Sequence, residues 1–448
     1  MPDKLKAKPA AVGLREVGLP GHQSRNTSVQ TPASRRKAGL AGDTSWRILL
    51  NLRKSAALIL TLLFGVFSSL QAAKLFSRSP KLLDGAAKKQ FTGYLDEICQ
   101  WIMTTGIAEG TLRNVPEGED SPAVRGNFAR VLVSGFELTK NNSRYLDEAL
   151  RWADAFAGSQ QRIVTSKGSE GGYWKDQNAK GIVDLSDIGL AALALARVQV
   201  YSDGERKQTY RQALDRYARF VTEGCKDDPW AKGRGGSHGW VISDGDNEGA
   251  IANGYDDSRL QTKPSTQTTA NHAAFFAASY SISKNEHYRE LAADAVRWIL
   301  KSRKPIGNIP NFQNGQESEE WSQQTVTSCT EGLLAAFHLL EDATLNQEIV
   351  KQGEVTVRWL VRSQNDRGAW GEGPDEHRSS GAAALLAWYY LNAKTDETIP
   401  QQLEKFWQIL LNPVHSQSFG VEVHALPSGQ VGLVIAEMIR PGITFRKI

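Results

Sequence analysis

Carboxylates, histidines and arginines gather at four places in this sequence, each at or just ahead of an apolar, Ala-rich segment. Asp184 and Asp187 introduce the segment around 188–200. His238, Asp244, Asp246, Asp256, Asp257 and Arg259 occupy one long polar stretch that ends in Asn271-His272. Glu319 and Glu320 precede the segment at 324–341, and Asp375, Glu376, His377 and Arg378 precede that at 379–393. Two carboxyl groups facing each other about 5 to 10 Å apart across a cleft can give and take the proton that cleaves a glycosidic bond. A histidine or tyrosine base, with cations to neutralise a carboxylate, can instead abstract a proton from a uronate. Both sets of groups are present. The candidates for proton transfer are Asp257, His272, Glu320, Glu376 and His377, with Arg259 and Arg378 as cations for substrate.

Of the twelve tryptophans, Trp174, Trp230, Trp240, Trp321 and Trp370 fall in the same polar stretches, and a sugar ring can lie flat on an indole. Trp240 and Trp321 are the candidates for that role, whereas Trp174 and Trp370 follow glycines in a recurrent turn and read as packing residues. Other features have plainer readings. Asp184, Ser186, Asp187 and Ser379 suit helix N-caps, worth about 1 kcal/mol each. The run 244–249 is rich in oxygen ligands but lacks the calcium-loop glutamate at its twelfth place, so it reads as a solvated turn. Cys99, Cys225 and Cys329 are too few and too scattered for a disulfide framework or a zinc cluster. No cofactor or metal set is legible.

What must position these groups is helical. From residue 88 onward the apolar residues recur with the 3.6-residue period, and β-branched alternation is scarce. Twelve helices in six pairs are expected: 88–105 with 123–139, 143–158 with 185–201, 206–224 with 267–283, 285–302 with 324–341, 345–363 with 379–393, and 398–411 with 429–440. First members are amphipathic. Second members are apolar nearly all round, so they must be surrounded by protein. Six inner helices ringed by six outer ones make an all-α (α/α)6 toroid, the alternative being an open helical solenoid. The connectors from outer to inner helices exceed the usual ~2 to 8 residues. They gather on one face, at helix N-termini whose partial positive charge attracts anions.

A repeat underlies the pairs. Arg358-Trp359 leads through Ser363-Gln364 to Gly368-Ala369-Trp370, and Arg151-Trp152 leads through Ser159-Gln160 to Gly171-Gly172-Tyr173-Trp174. This syntax resembles the Gln-Trp repeat of terpenoid cyclases and prenyltransferase-like toroids. The twelve-helix plan over 88–440 resembles the six-hairpin superfamily of glycoside hydrolases, polysaccharide lyases and sugar epimerases. With export expected from the N-terminal apolar run and a monomer as the expected state, the resemblance implies a carbohydrate-active enzyme of hydrolase or lyase type, its site at the mouths of the inner helices and an oligo- or polysaccharide as substrate. A terpenoid-cyclase reading fits less well, because Asp244-Gly245-Asp246-Asn247 lacks the last acid of Asp-x-Asp-Asp. Zinc-dependent toroids need a cysteine in a mouth connector, which is missing. A non-catalytic glycan-binding or scaffold toroid is the remaining alternative.

The N-terminal region differs in kind. Residues 1–54 carry eleven Lys/Arg against three Asp/Glu, a net of +8, so the overall +4 leaves −4 for the rest. The basic character therefore resides in the tail, and the folded part shows no footprint for nucleic acid. Residues 1–45 lack an apolar period and are expected to be disordered. The apolar run 56–70, after Arg53-Lys54 and before small residues, is shorter than the ~20 residues of a spanning helix and matches a secretory signal within 46–73, or else an uncleaved anchor. Residues 74–87 read as a linker to the toroid domain at 88–448.

Overall fold

The structure is a computed structural model that describes residues 82–113, 115, 120–139, 142–175, 183–226, 239–256, 259–318, 323–370, 380–393, 396–411, 425–445 and 448. The disordered tail, the signal or anchor and most of the linker read from the sequence thus lie outside the described residues. Among those described, no helix is long and apolar enough to cross a membrane.

Among the described residues twelve α-helices carry the chain, and their limits fall within a few residues of the periodicity. The outer members are α1 (Gly85–Thr105), α3 (Ser143–Gly158), α5 (Gly204–Glu223), α7 (Glu286–Ser302), α9 (Ala343–Ser363) and α11 (Thr398–Leu411). The inner members are α2 (Pro122–Leu138), α4 (Leu185–Val198), α6 (Thr266–Ser283), α8 (Gln323–Leu339), α10 (Ser380–Asn392) and α12 (Ala425–Ile439). Each inner helix packs against the next, α2 on α4, α4 on α6, and so on to α10 on α12, and α12 returns to α2. That last contact closes the ring. The outer wall closes as well, where Phe91 of α1 meets Trp407 of α11 edge to face at 4.9 Å.

Closure requires the inner helices to approach closely, and small residues at the seams allow it. A Cβ on Gly126 would lie 3.0 Å from the Ala191 backbone of α4, and one on Gly381 would lie 2.3 Å from the Thr327 backbone of α8. Side chains of the inner helices are accordingly almost all buried, with Leu193, Ala194 and Leu195 of α4 fully so.

The outer helices are stitched to one another by a polar device that recurs with the repeat. Tyr145 of α3 donates its hydroxyl to Asp96 of α1 at 2.7 Å, Tyr210 of α5 to Asp154 of α3 at 2.5 Å, and Tyr288 of α7 to Asp215 of α5 at 2.8 Å. Burial raises the pKa of each of these hydroxyls, and the neighbouring carboxylate adds to the effect, so all three stay protonated as donors.

The Gln-Trp turns are fastenings too. Gln160 donates to the Ala213 carbonyl of α5 and Gln364 to the Gln402 carbonyl of α11, both at 2.8 Å, so each glutamine ties the end of one outer helix to the next. The turn tryptophans, both buried, donate back to their own outer helix: Trp174 to the Phe156 carbonyl at 2.7 Å and Trp370 to the Leu360 carbonyl at 2.8 Å. Gly368 stands at φ +95° in the second turn, with the Lys405 backbone where a Cβ would be, which only glycine tolerates.

The connectors hold short strands that periodicity does not announce. β1 (Gln161–Val164) pairs antiparallel with β2 (Glu170–Tyr173) between α3 and α4. β3 (Val183–Asp184), β4 (Ala252–Asp256) and β5 (Arg259–Pro264) form one antiparallel sheet in that order, and β6 (Phe312–Gln313) pairs with β7 (Gln316–Glu317) ahead of α8.

Candidate functional site

The inner helices begin at the end of the toroid where the connectors lie. Asp184 is the N-cap of α4, its Oδ1 accepting from the Ser186 amide at 2.8 Å and the Asp187 amide at 3.4 Å. The capping role expected from the sequence is therefore present in the structure. Asp187, in the first turn of α4, is half-buried. The sheet brings β4 alongside, Asp184 pairing in register with Gly254. Backbone segments far apart in sequence thus meet at the start of α4.

Below this level the axis holds a polar core. Arg130 of α2 reaches across to Glu331 of α8 in a two-pronged ion pair, Nη2 lying 2.9 Å from Oε1. Arg130 is 1% exposed and Glu331 16%. Arg197 of α4 pairs with Glu137 of α2 at 2.8 Å. Glu437 of α12 accepts from the amides of Gly442 and Thr444, at 2.6 and 2.8 Å, and from the Thr444 hydroxyl. Burial pushes the Glu437 carboxyl up, partly offset by those three bonds. Through them the buried C-terminal segment around Ile443 to Phe445 is fastened to α12.

A cavity of about 40 Å³ lies among Asn127, Thr327, Glu331, Gln430 and Glu437. A water needs about 10 to 15 Å³ of such space, so this cavity suits a few waters. Glu331 lies eight residues into α8, about 12 Å below its start at 1.5 Å per residue. The axial charges therefore tie the inner helices to one another.

Two sequence candidates require correction. His272 does not face the mouth: it is fully buried between the rings, Nδ1 donating to the Thr268 carbonyl at 2.9 Å and Nε2 accepting from the Tyr217 hydroxyl of α5 at 3.0 Å. Burial holds its pKa down at about 4, and both nitrogens are committed. Trp240 offers no sugar platform either, being 2% exposed with its ring 4.4 Å from that of Phe220. Arg259 opens β5. Asp257, Glu320, Trp321, Glu376, His377 and Arg378 lie outside the described residues.

Other readings can be placed as well. The run 244–248 is exposed and includes a single 3-10 turn, Gly245–Asn247. All three cysteines are buried thiols, Cys225 just beyond α5. The axial ion pairs were not identified from the sequence, yet a signal existed: Glu331 and Glu437 are the only carboxylates of the otherwise neutral helices α8 and α12.

No family model and no curated protein matches the sequence. Solved structures do. An α-1,6-mannanase of a Salegentibacter species, an inactive variant changed at two consecutive aspartates and bound to α-1,6-mannotriose, superposes with a TM-score of 0.50 at 13% identity, over 79% of this chain and 99% of that one. A polysaccharide lyase gives 0.51 at 13% identity, over 79% and 97%. The cellobiose 2-epimerase of Spirochaeta thermophila gives 0.53 at 12% identity, over 79% and 98%. At such identities the likeness is one of fold, and that fold, a closed (α/α)6 toroid of six helical hairpins, is the one this chain shares with those hydrolase, lyase and epimerase structures.

Proposed function

We propose that the protein is an exported carbohydrate-active enzyme, a glycoside hydrolase or polysaccharide lyase, acting on a glycan laid across the mouths of the inner helices. The observation that carries this reading is the backbone pairing of Asp184, at the start of α4 ahead of Asp187, with Gly254 of β4. The sequence continues from that strand into Asp256-Asp257, which supplies the second acid in this reading. Asp184 is occupied as a cap, so it orients the helix start. Asp187 is the carboxyl assigned to proton transfer, with Asp257, which lies outside the described residues, as the second acid. The mannanase altered at two consecutive aspartates supports a chemistry of paired carboxylates, and Asp256-Asp257 is such a pair here. Residues 46–73 serve as the export signal in this reading.

The test is a panel of mannans and uronate polysaccharides incubated with the secreted, purified protein. A rise in reducing ends without new ultraviolet absorbance indicates hydrolysis, and absorbance from unsaturated uronates indicates elimination. Asp187→Asn is expected to lower the rate by about 10²- to 10⁴-fold, the usual contribution of a positioned acid or base, while melting close to the parent. No product across the panel, or an undiminished rate in Asp187→Asn, would overturn the enzyme or its assigned carboxyl respectively. N-terminal sequencing of the secreted protein checks cleavage near Ala72 or Ala73.

A further inference from the structure

On the outer wall, a groove of about 380 Å³ lies between α9 and the turn that follows α7, with Lys351, Arg358 and Arg362 on one side and Pro305 and Ile306 on the other. The spacing of the cations makes them a stripe. Arg358 and Arg362 follow Lys351 by seven and eleven residues, so at about 100° per residue all three fall within roughly 20° of one helix face, over a rise of about 16 Å. All three are exposed. Among the described residues Lys351 and Arg362 have no carboxylate partner, whereas Arg358 pairs with Glu354. Three cations against one carboxylate leave the stripe at a net +2, opposite in sign to the −4 of residues 55–448. The facing wall is fixed in place. The Gly307 amide donates to the Lys304 carbonyl and the Lys304 amide to the Asn308 carbonyl, both at 2.9 Å, closing a turn whose tip is Pro305-Ile306. The Thr356 hydroxyl of α9 donates to the Gly307 carbonyl at 2.8 Å. Gly307 stands at φ +118°, with the Val355 carbonyl oxygen 2.5 Å from where a Cβ would be, so the turn is seated directly on the helix. Ile306 is left 59% exposed at its tip.

We propose that this groove docks a strand of acidic glycan, a chain of uronate-bearing sugars whose carboxylates run along the cation stripe while a C–H face rests on Pro305 and Ile306. The inference rests on the carbohydrate reading above but not on its catalytic residues. A straight row of cations complements a linear polyanion, and a positive groove on an otherwise negative body steers that polymer to one place. A small inorganic anion would use the charge and leave the apolar tip idle. A protein partner fits less well, because one wall is a helix and the other a two-residue tip. Neither offers an open strand edge, and the apolar surface is too small to seat an amphipathic helix. Arg362 stands in the last turn of α9, ahead of the connector to α10, so a strand held on the stripe continues toward the connector face. Its next units then reach the mouths at raised effective concentration.

Biolayer interferometry on the purified protein, with biotinylated polygalacturonate, neutral α-1,6-mannan or poly-L-glutamate on the sensor, reads the interaction without requiring turnover. Polygalacturonate is expected to bind at low salt and to be released in 0.5 M salt. Lys351→Glu combined with Arg362→Glu is expected to weaken that binding at least tenfold at an unchanged melting temperature, because both side chains are exposed. Lys88→Glu combined with Lys89→Glu makes the same change of net charge at exposed positions of α1 and is expected to weaken it less than twofold. Ile306→Ser is expected to weaken it about threefold with the same salt dependence. Undiminished binding in the α9 double variant or in Ile306→Ser, an equal loss in the α1 control, or no binding of polygalacturonate would overturn the groove. Poly-L-glutamate bound as tightly, and lost in the same α9 variant, would replace the glycan by an acidic protein segment. Turnover of mannan without any binding of polygalacturonate sinks this groove alone. Groove-dependent binding without turnover of any glycan sinks the enzymatic reading and leaves the groove standing.

Discussion

Burial sets the proton on His272 and makes it a stability element. Its folded pKa of about 4 lies below the ordinary 6.5 because the charged form has lost water, and the Thr268 bond only partly compensates. A base whose folded pKa is depressed binds its proton more readily in the unfolded chain. Its contribution is therefore intact above about pH 6.5 and is lost as the pH falls toward 4, by about 3 kcal/mol at most at 1.36 kcal/mol per unit. His272→Gln keeps a partner for the Tyr217 hydroxyl and removes the titration. The expected outcome is a shallower acid limb between pH 6.5 and 4 in urea melts, with activity at neutral pH near that of the parent. An acid limb as steep as before would remove His272 from this role, leaving His338, whose pKa burial also lowers to about 4. The sequence marked His272 as a mouth residue because it lies near the start of an inner helix. A helical start has several faces, and the sequence does not say that this one meets Tyr217.

At the scale of elements the chain was legible wherever burial imposes a period, and much less so in the connectors. α3, read as 143–158, has those limits in the structure, and α11 matches at 398–411, because an amphipathic outer helix advertises its buried face every 3.6 residues. β4 and β5 announce nothing of the kind. Ala252–Asp256 contains Asn and Gly, Arg259–Pro264 mixes charge with proline, and they pair because a connector folded onto the toroid must satisfy its own amides and carbonyls. The Gln-Trp turn was visible as a pattern, but its work was not. Gln364 donates both to Gly368, at 2.7 Å, and to Gln402 of the next outer helix, at 2.8 Å. With a net ~0.5 to 1.5 kcal/mol per bond, Gln364→Ala should cost about 2 kcal/mol. A denaturant midpoint shifted by that amount with an unchanged slope is expected, and a shift below about 0.5 kcal/mol would reduce the turn to a passive spacer.

Closure is the property of the whole molecule on which the mouth depends, and it distinguishes this ring from a stack of the same hairpins. In an open stack each repeat feels only its neighbours, so damage at one end stays there. Here the last inner helix lies on the first: a Cβ on Gly432 of α12 would come within 2.8 Å of Val131 of α2. Gly432→Val should therefore pry apart a seam joining residues some three hundred positions distant in sequence, at a cost of about 1 to 3 kcal/mol for overpacking. Hydrogen exchange by mass spectrometry reads the consequence. Peptides from α1 and α2 are expected to lose protection together with those from α11 and α12, because either side of a broken seam becomes an end. Gly381→Val, which overpacks α10 against Thr327 of α8, serves as the interior comparison, with exposure centred on α8 to α10. Were the first hairpin to keep its full protection in Gly432→Val while the last one opened, the ring would behave as a superhelix with two independent ends, and the mouth over which the connectors gather would lose its closed rim.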